Sequence, residues 1–121
     1  MRIFLIFSLM WFALFDPAPA TAGFKTGNQL LSECEALDDN QKRAVCAGYI
    51  SGTFDLLLEQ QELYPEPILK VCPNERITLG QATDVVVKHL KDNPADRDMS
   101  ASFLAWMAIY RAWPCLTQKA D

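Results

Sequence analysis

The features this chain lacks exclude several classes of function. Eleven Lys and Arg stand against 15 Asp and Glu in 121 residues, and no basic run interrupts that balance. Neutralising phosphates takes clustered Lys and Arg, so the balance argues against a dedicated nucleic-acid binder. There is a single histidine, His89, and none of the four cysteines sits in a Cys-x-x-Cys pair. The usual zinc-finger set, the redox dithiol and the haem-attachment motif are therefore all absent. No Gly-rich phosphate loop, nucleophile elbow, His-Glu-x-x-His or Walker pattern occurs. No Asn-x-Ser/Thr acceptor is present, so nothing points to a glycosylated product. No segment alternates with period two for long, and there is no internal repeat or low-complexity stretch, so a sheet is not expected.

Half of the residues are apolar and 21% are charged, which suits a packed core and a single domain. Behind Met1-Arg2, residues 3–15 form a 13-residue run without charge. A membrane-spanning helix needs about 20 residues, so this run reads instead as the apolar part of a secretory signal. Small-x-small cleavage sites follow Ala20 and Ala22; the cut after Ala22 is preferred, because its triplet avoids proline. The expected organisation is a signal peptide over 1–22 and one helical domain over 23–121, in the periplasm and without a stable membrane anchor. Cys34 follows Glu33 well beyond the apolar run, which does not fit a lipidation site.

Four helices are expected. Thr26-Gly27-Asn28-Gln29 is a capping box opening the first, with Leu30, Leu31, Cys34 and Leu37 at helical spacing. Asp38-Asp39-Asn40 stops it and caps a second helix over about 41–63, whose Cys46, Ile50, Phe54 and Leu57 form an apolar stripe. Ala44, Gly48 and Gly52 form a second, small face. Pro65, Pro67 and Pro73 mark a connection pinned by Cys72. Thr78-Leu79-Gly80-Gln81 is a second capping box, opening a helix to about Lys91 with Leu79, Ala82, Val86 and Leu90 inward. A fourth helix runs from Ala95 or Met99 to about Trp113, with a large stripe (Met99, Phe103, Met107, Tyr110) and an alanine stripe (Ala101, Ala105, Ala108, Ala112). The alanine stripe is expected to meet the glycine face of the second helix. The fold class is all-α: a small disulfide-stabilised bundle of four to five helices.

An even cysteine count in a small exported chain implies a disulfide framework. Cys34 and Cys46 flank the turn between two antiparallel helices; Cys72 precedes the third helix and Cys115 follows the fourth. Helix order therefore pairs Cys34 with Cys46 and Cys72 with Cys115. Candidate chemistry is sparse. His89 reads as a partly buried helical histidine, since no nucleophile is tied to it. Asp38-Asp39 reads as a cap, Asp55 as a residue within an apolar helix held by a structural hydrogen bond, and Trp106, Tyr110 and Trp113 as core. No catalytic residue, metal or cofactor is expected.

Several motifs resemble one known family. They are Gly27-x-x-Leu30-Leu31-x-x-Cys34, Cys46-Ala47-Gly48-Tyr49-Ile50-Ser51-Gly52-Thr53-Phe54-Asp55, Val71-Cys72-Pro73, Ile77-Thr78-Leu79-Gly80-Gln81, Val86 to Leu90 with Pro94, and Trp113-Pro114-Cys115. In this order over residues 26–115 they resemble the Rap/Tai immunity proteins of type VI secretion. That resemblance implies a periplasmic helical protein that binds and inhibits a peptidoglycan amidase effector, not an enzyme. It also implies a homodimer as one assembly. The shared motif is structural and maps no contact residue. By position alone, the exposed partner-binding candidates are Tyr64 and Glu66 in one loop and Asp92, Asp96 and Asp98 in another, as loops on a rigid scaffold are a usual place for recognition. The other reading is a periplasmic stress or chaperone-like helical protein without enzymatic activity.

Overall fold

The computed structural model describes residues 24–64, 70–73 and 76–115. The expected signal peptide over 1–22, the candidate Glu66 and the tail after Cys115 lie outside the described residues.

Four helices form in chain order: α1 (Gly27–Cys34), α2 (Asn40–Leu63), α3 (Leu79–Asp92) and α4 (Ala101–Ala112), with a 3-10 turn at Pro94–Asp96 before α4. Their starts follow from local chemistry. The Thr26 hydroxyl accepts from the Gln29 N–H at 3.3 Å, and the Gln29 side chain accepts from the Thr26 N–H at 2.8 Å. Thr78 and Gln81 repeat this box at 3.2 and 2.8 Å. Asp39 caps α2 by accepting from the Lys42 N–H at 3.0 Å. Each such cap satisfies orphan N–H groups and is worth about 1 kcal/mol. Among the described residues there is no strand, only isolated antiparallel bridges at Thr26–Ser100 and Val71–Pro114.

The core gathers Leu30 and Leu31 from α1, Cys46 and Ile50 from α2, Val71, then Ala82, Val86 and Leu90 from α3, and Ala101, Leu104, Ala105, Ala108 and Ile109 from α4. Phe54, Leu57, Tyr110 and Trp113 pack against its margin. No charged or polar residue is buried among the described ones. The bridges Cys34–Cys46 and Cys72–Cys115 join the pairs that helix order selects, with Cα atoms 5.1 and 4.8 Å apart.

Four expectations are corrected. Helix α1 stops at Cys34, and Leu37 is 75% exposed. Bonds from Ala36 N–H to Glu33 O at 3.4 Å and from Leu37 N–H to Glu35 O at 2.8 Å turn the chain just after Cys34. Helix α4 starts at Ala101, because Met99 and Ser100 pair with the chain entering α1: Gly27 donates to Met99 O at 3.1 Å and Ala101 to Lys25 O at 2.8 Å. Leu79, the first residue of α3, is 45% exposed rather than inward.

The fourth correction concerns the small faces. Ala101, Ala105 and Ala108 are buried as expected, but Gly48 and Gly52 are exposed, with no atom within 4 Å of an added Cβ. At 100° per residue these glycines lie opposite Ile50 on α2, so burying the large stripe turns the small one to solvent. The alanines of α4 therefore pack with the large core residues. The glycine that does permit close approach is Gly27, where a Cβ would fall 2.5 Å from Leu104 Cδ1 and 3.0 Å from Arg97 O.

Candidate functional site

The exposed partner candidates fall at two ends of the bundle. The first is the turn from Asp92 to Asp98, which follows α3. Arg97 holds it in place: Nε donates to Leu90 O at 2.6 Å and an Nη donates to Lys91 O at 3.2 Å, covering carbonyls that the end of α3 leaves open. The Arg97 carbonyl accepts from the Asn28 N–H at 3.0 Å, and Asp98 accepts from the Asn28 side chain at 2.9 Å. Lys91 pairs with Glu35 at 2.6 Å, tying the same corner to the end of α1. Asp92, Asp96 and Asp98 are all exposed; Asp92 pairs with Lys88 at 2.6 Å. Three carboxylates thus stand on one rigid turn.

His89 lies beneath this turn on α3 and is partly buried. Burial is the main cause that lowers its pKa from 6.5, and Arg111 adds to it, while Asp96 and Asp92 oppose. Asn93 Nδ2 sits 3.2 Å from His89 Nδ1 and donates to the His89 carbonyl at 2.8 Å, an arrangement that suits a neutral ring. His89 thus belongs to the framework under the turn, and the described residues place no nucleophile against it.

The second end is built around Tyr64, the residue capping α2, which is 66% exposed. One turn earlier, the Gln61 side chain brackets Val71, donating to its carbonyl at 3.0 Å and accepting from its N–H. The segment 70–73 then pairs with the chain leaving α4: Cys72 donates to Trp113 O at 2.9 Å and Cys115 to Lys70 O at 3.3 Å. Trp113 meets Phe54 edge-on, with centroids 6.0 Å apart. A groove along this strap is lined by Asp55, Glu59 and Glu62 of α2, with Lys70 and Cys72 beyond. Asp55 is exposed here, so its expected structural role is corrected: position 55 lies away from the Ile50 face.

Tyr64 and the acidic turn do not converge. The strap end adjoins the last residues of α4 and the turn precedes its first, about 18 Å apart along a 12-residue helix. The three aromatic residues read as core also diverge: Trp113 joins the core margin, whereas Trp106 pairs with Phe103, centroids 5.7 Å apart. Arg97 was not singled out in the sequence, because one arginine in a polar turn has no pattern. Asp55, Glu59 and Glu62, spaced four and three apart on a helix, did offer a legible acidic stripe.

Among the described residues, no group of three or more His, Cys, Asp or Glu side chains is placed to hold a metal ion. No helix among them is long and apolar enough to cross a membrane. The described residues form a helical frame cross-linked by two disulfides, with polar turns at its ends. The sequence model of the Rap1a immunity proteins matches residues 26–115, and the chain belongs to that family. A comparison with curated proteins finds none that matches.

Proposed function

We propose that this chain is an exported immunity protein that binds and inhibits a peptidoglycan amidase effector of type VI secretion. The observation that carries the reading is the family match over residues 26–115, within which all four cysteines fall. Immunity of this kind is stoichiometric occlusion: a rigid surface covers a partner's cleft and no bond in a substrate changes. That action needs neither catalytic residue nor cofactor. Two disulfides suit an oxidising compartment, consistent with a signal peptide over 1–22, a mature domain over 23–121 and a periplasmic site of action.

The contact residues in this reading are Asp92, Asp96 and Asp98 at one end and Tyr64 with Glu66 at the other. Fixed carboxylates on a turn steer a basic cleft toward them and mainly raise the association rate. A tyrosine offers apolar area and a hydroxyl for little entropy.

The test is protection in cells. A periplasm-directed amidase effector lyses its host; co-production of the full chain is expected to restore growth, while a chain lacking residues 1–22 is not. The exported product is expected to begin at Gly23 by mass spectrometry. Continued lysis with the oxidised chain abundant in the periplasm would overturn the reading.

A further inference from the structure

Two hollows adjoin along the second half of α2 and share Asp55 and Leu58. The first, about 250 Å³, opens between α2 and the start of α3. Phe54, Leu58 and Ile77, each partly buried, and the buried Ala82 give it an apolar floor, and Leu79 walls it. The exposure of Leu79 at the head of α3 thus belongs to a hollow and not to bare surface. The second hollow, about 570 Å³, lies between α2 and the strap and is rimmed by Glu59 and Glu62, both exposed, with Lys70 on the strap side. Lys70 is the one basic residue in either lining.

The carboxylates on this cleft are placed at a cost to the free chain. Asp55, Glu59 and Glu62 follow one another four and three residues apart on one helix face, where like charges repel. They also stand toward the C-terminal end of α2, whose last turn holds no basic residue, and a helix C-terminus disfavours negative charge. Among the described residues, no ion pair relieves any of the three. Negative charge gathered against the helix's own field is relieved by a cation from outside.

We propose that this cleft receives a short extended segment of the effector, one that carries an apolar side chain flanked by Lys or Arg. The partner's identity rests on the effector reading; the preference for a basic segment with an apolar anchor does not. From Ser51 to Glu62 the cleft follows α2 for about 17 Å, the length of about five extended residues. The apolar hollow is smaller than the roughly 300–1,000 Å³ of small-molecule pockets, which suits one anchoring side chain and not a free ligand. The strap's backbone offers no edge for strand addition. The Val71 N–H and carbonyl are both taken by the Gln61 side chain, the Cys72 N–H by Trp113 and the Lys70 carbonyl by Cys115. Recognition therefore runs through side chains: the anchor supplies buried apolar area, and the carboxylates draw and orient the cations. Exposed Tyr64, at the same end of α2, continues this surface, so the cleft lengthens the contact proposed there.

Glu59→Lys and Glu62→Lys combined in one chain are expected to raise the melting temperature of the free protein, since they remove the repulsion and suit the helix end. The same variant is expected to bind the cognate amidase about 30-fold more weakly, chiefly through slower association, an effect that shrinks with salt. A merely structural role for these carboxylates would lower stability instead. Leu79→Gln is expected to weaken binding about tenfold at any salt concentration, as loss of an apolar wall requires. Asp38→Lys, in the turn before α2, is expected to leave affinity unchanged. The cleft is also tested without the effector. In a nuclear magnetic resonance titration of the oxidised chain with a blocked Lys-Leu-Lys-Phe-Lys peptide, shifts are expected to gather on residues 51–62 and 77–82. A Glu-Leu-Glu-Phe-Glu peptide is expected to give none there. Peptide shifts scattered over the surface, or an inhibited amidase that binds the double lysine variant as tightly as the parent chain, would overturn the proposal. Inhibition of no amidase, with the peptide still mapping to the cleft, would overturn the effector reading and leave the cleft's preference standing.

Discussion

Two disulfides close the bundle at different ends, and their surroundings differ. Cys34–Cys46 spans 12 residues and lies against the core, with Cys46 2% exposed. Cys72–Cys115 spans 43 residues, and Cys72 is exposed. At the first end, a corner of α1 and the turn after α3 is knit by Gly27, Asn28, Arg97 and Asp98. At the second, a short strap is held by Gln61, two backbone bonds and the bridge itself. Chain entropy makes the longer loop slightly more stabilising, about 4 against about 3 kcal/mol. Burial offsets this, because losing the inner bridge also removes packed sulfur from the core. The two ends are therefore similar in equilibrium stability and unlike in access: one bridge is part of the interior, the other a clasp on its surface.

The largest test breaks both ends together. Together the bridges supply a large share of a typical 5–15 kcal/mol domain stability. Complete reduction is expected to lower the melting temperature by more than 10 °C; an unchanged melt would reject the account of both ends. Graded reduction separates them. Cys72–Cys115 is expected to open first by alkylation and mass mapping, with Cys34–Cys46 surviving until the domain unfolds. Simultaneous loss, or the reverse order, would contradict the contrast in access.

Glycine substitutions sharpen it further. Gly27→Ala drives a Cβ onto Leu104 and Arg97 O at the knit corner and is expected to cost about 1–3 kcal/mol. Gly52→Ala adds a methyl in open space on α2 and is expected to stabilise by about 0.5–1 kcal/mol. Equilibrium denaturation of the two variants reads opposite signs, and equal signs would show that the packing is misassigned.

The smallest effect is in pH. Burial and Arg111 lower the His89 pKa below 6.5, so the unfolded chain takes up this proton more readily than the folded one. Stability from His89 is therefore complete above pH 6.5 and declines as pH falls from there toward the folded-state pKa. His89→Gln is expected to flatten this part of the profile; an unchanged slope would assign it to other groups.

Much of this contrast was legible in the sequence. Both capping boxes, the Asp39 cap, the Cys46–Leu57 stripe and the two cysteine pairings follow from local spacing and helix order. The contact between the glycine and alanine faces did not form, because periodicity marks faces without ranking them; burying Ile50 and Phe54 outweighed the close approach that small residues allow. The Arg97 corner was not legible either. It depends on carbonyls left open at the end of α3 meeting residues from α1, a long-range coincidence without local pattern. The proposed contact residues inherit that limit, since their exposure follows from turns whereas a partner's shape does not.

The most direct test is inhibition of purified amidase. Peptidoglycan hydrolysis by small type VI amidase effectors, including any encoded beside this chain's gene, is followed while the fully oxidised chain is titrated in. The account predicts that hydrolysis by the cognate enzyme falls to zero at an equimolar ratio, as occlusion requires. Undiminished hydrolysis by every amidase at micromolar excess of chain would contradict it.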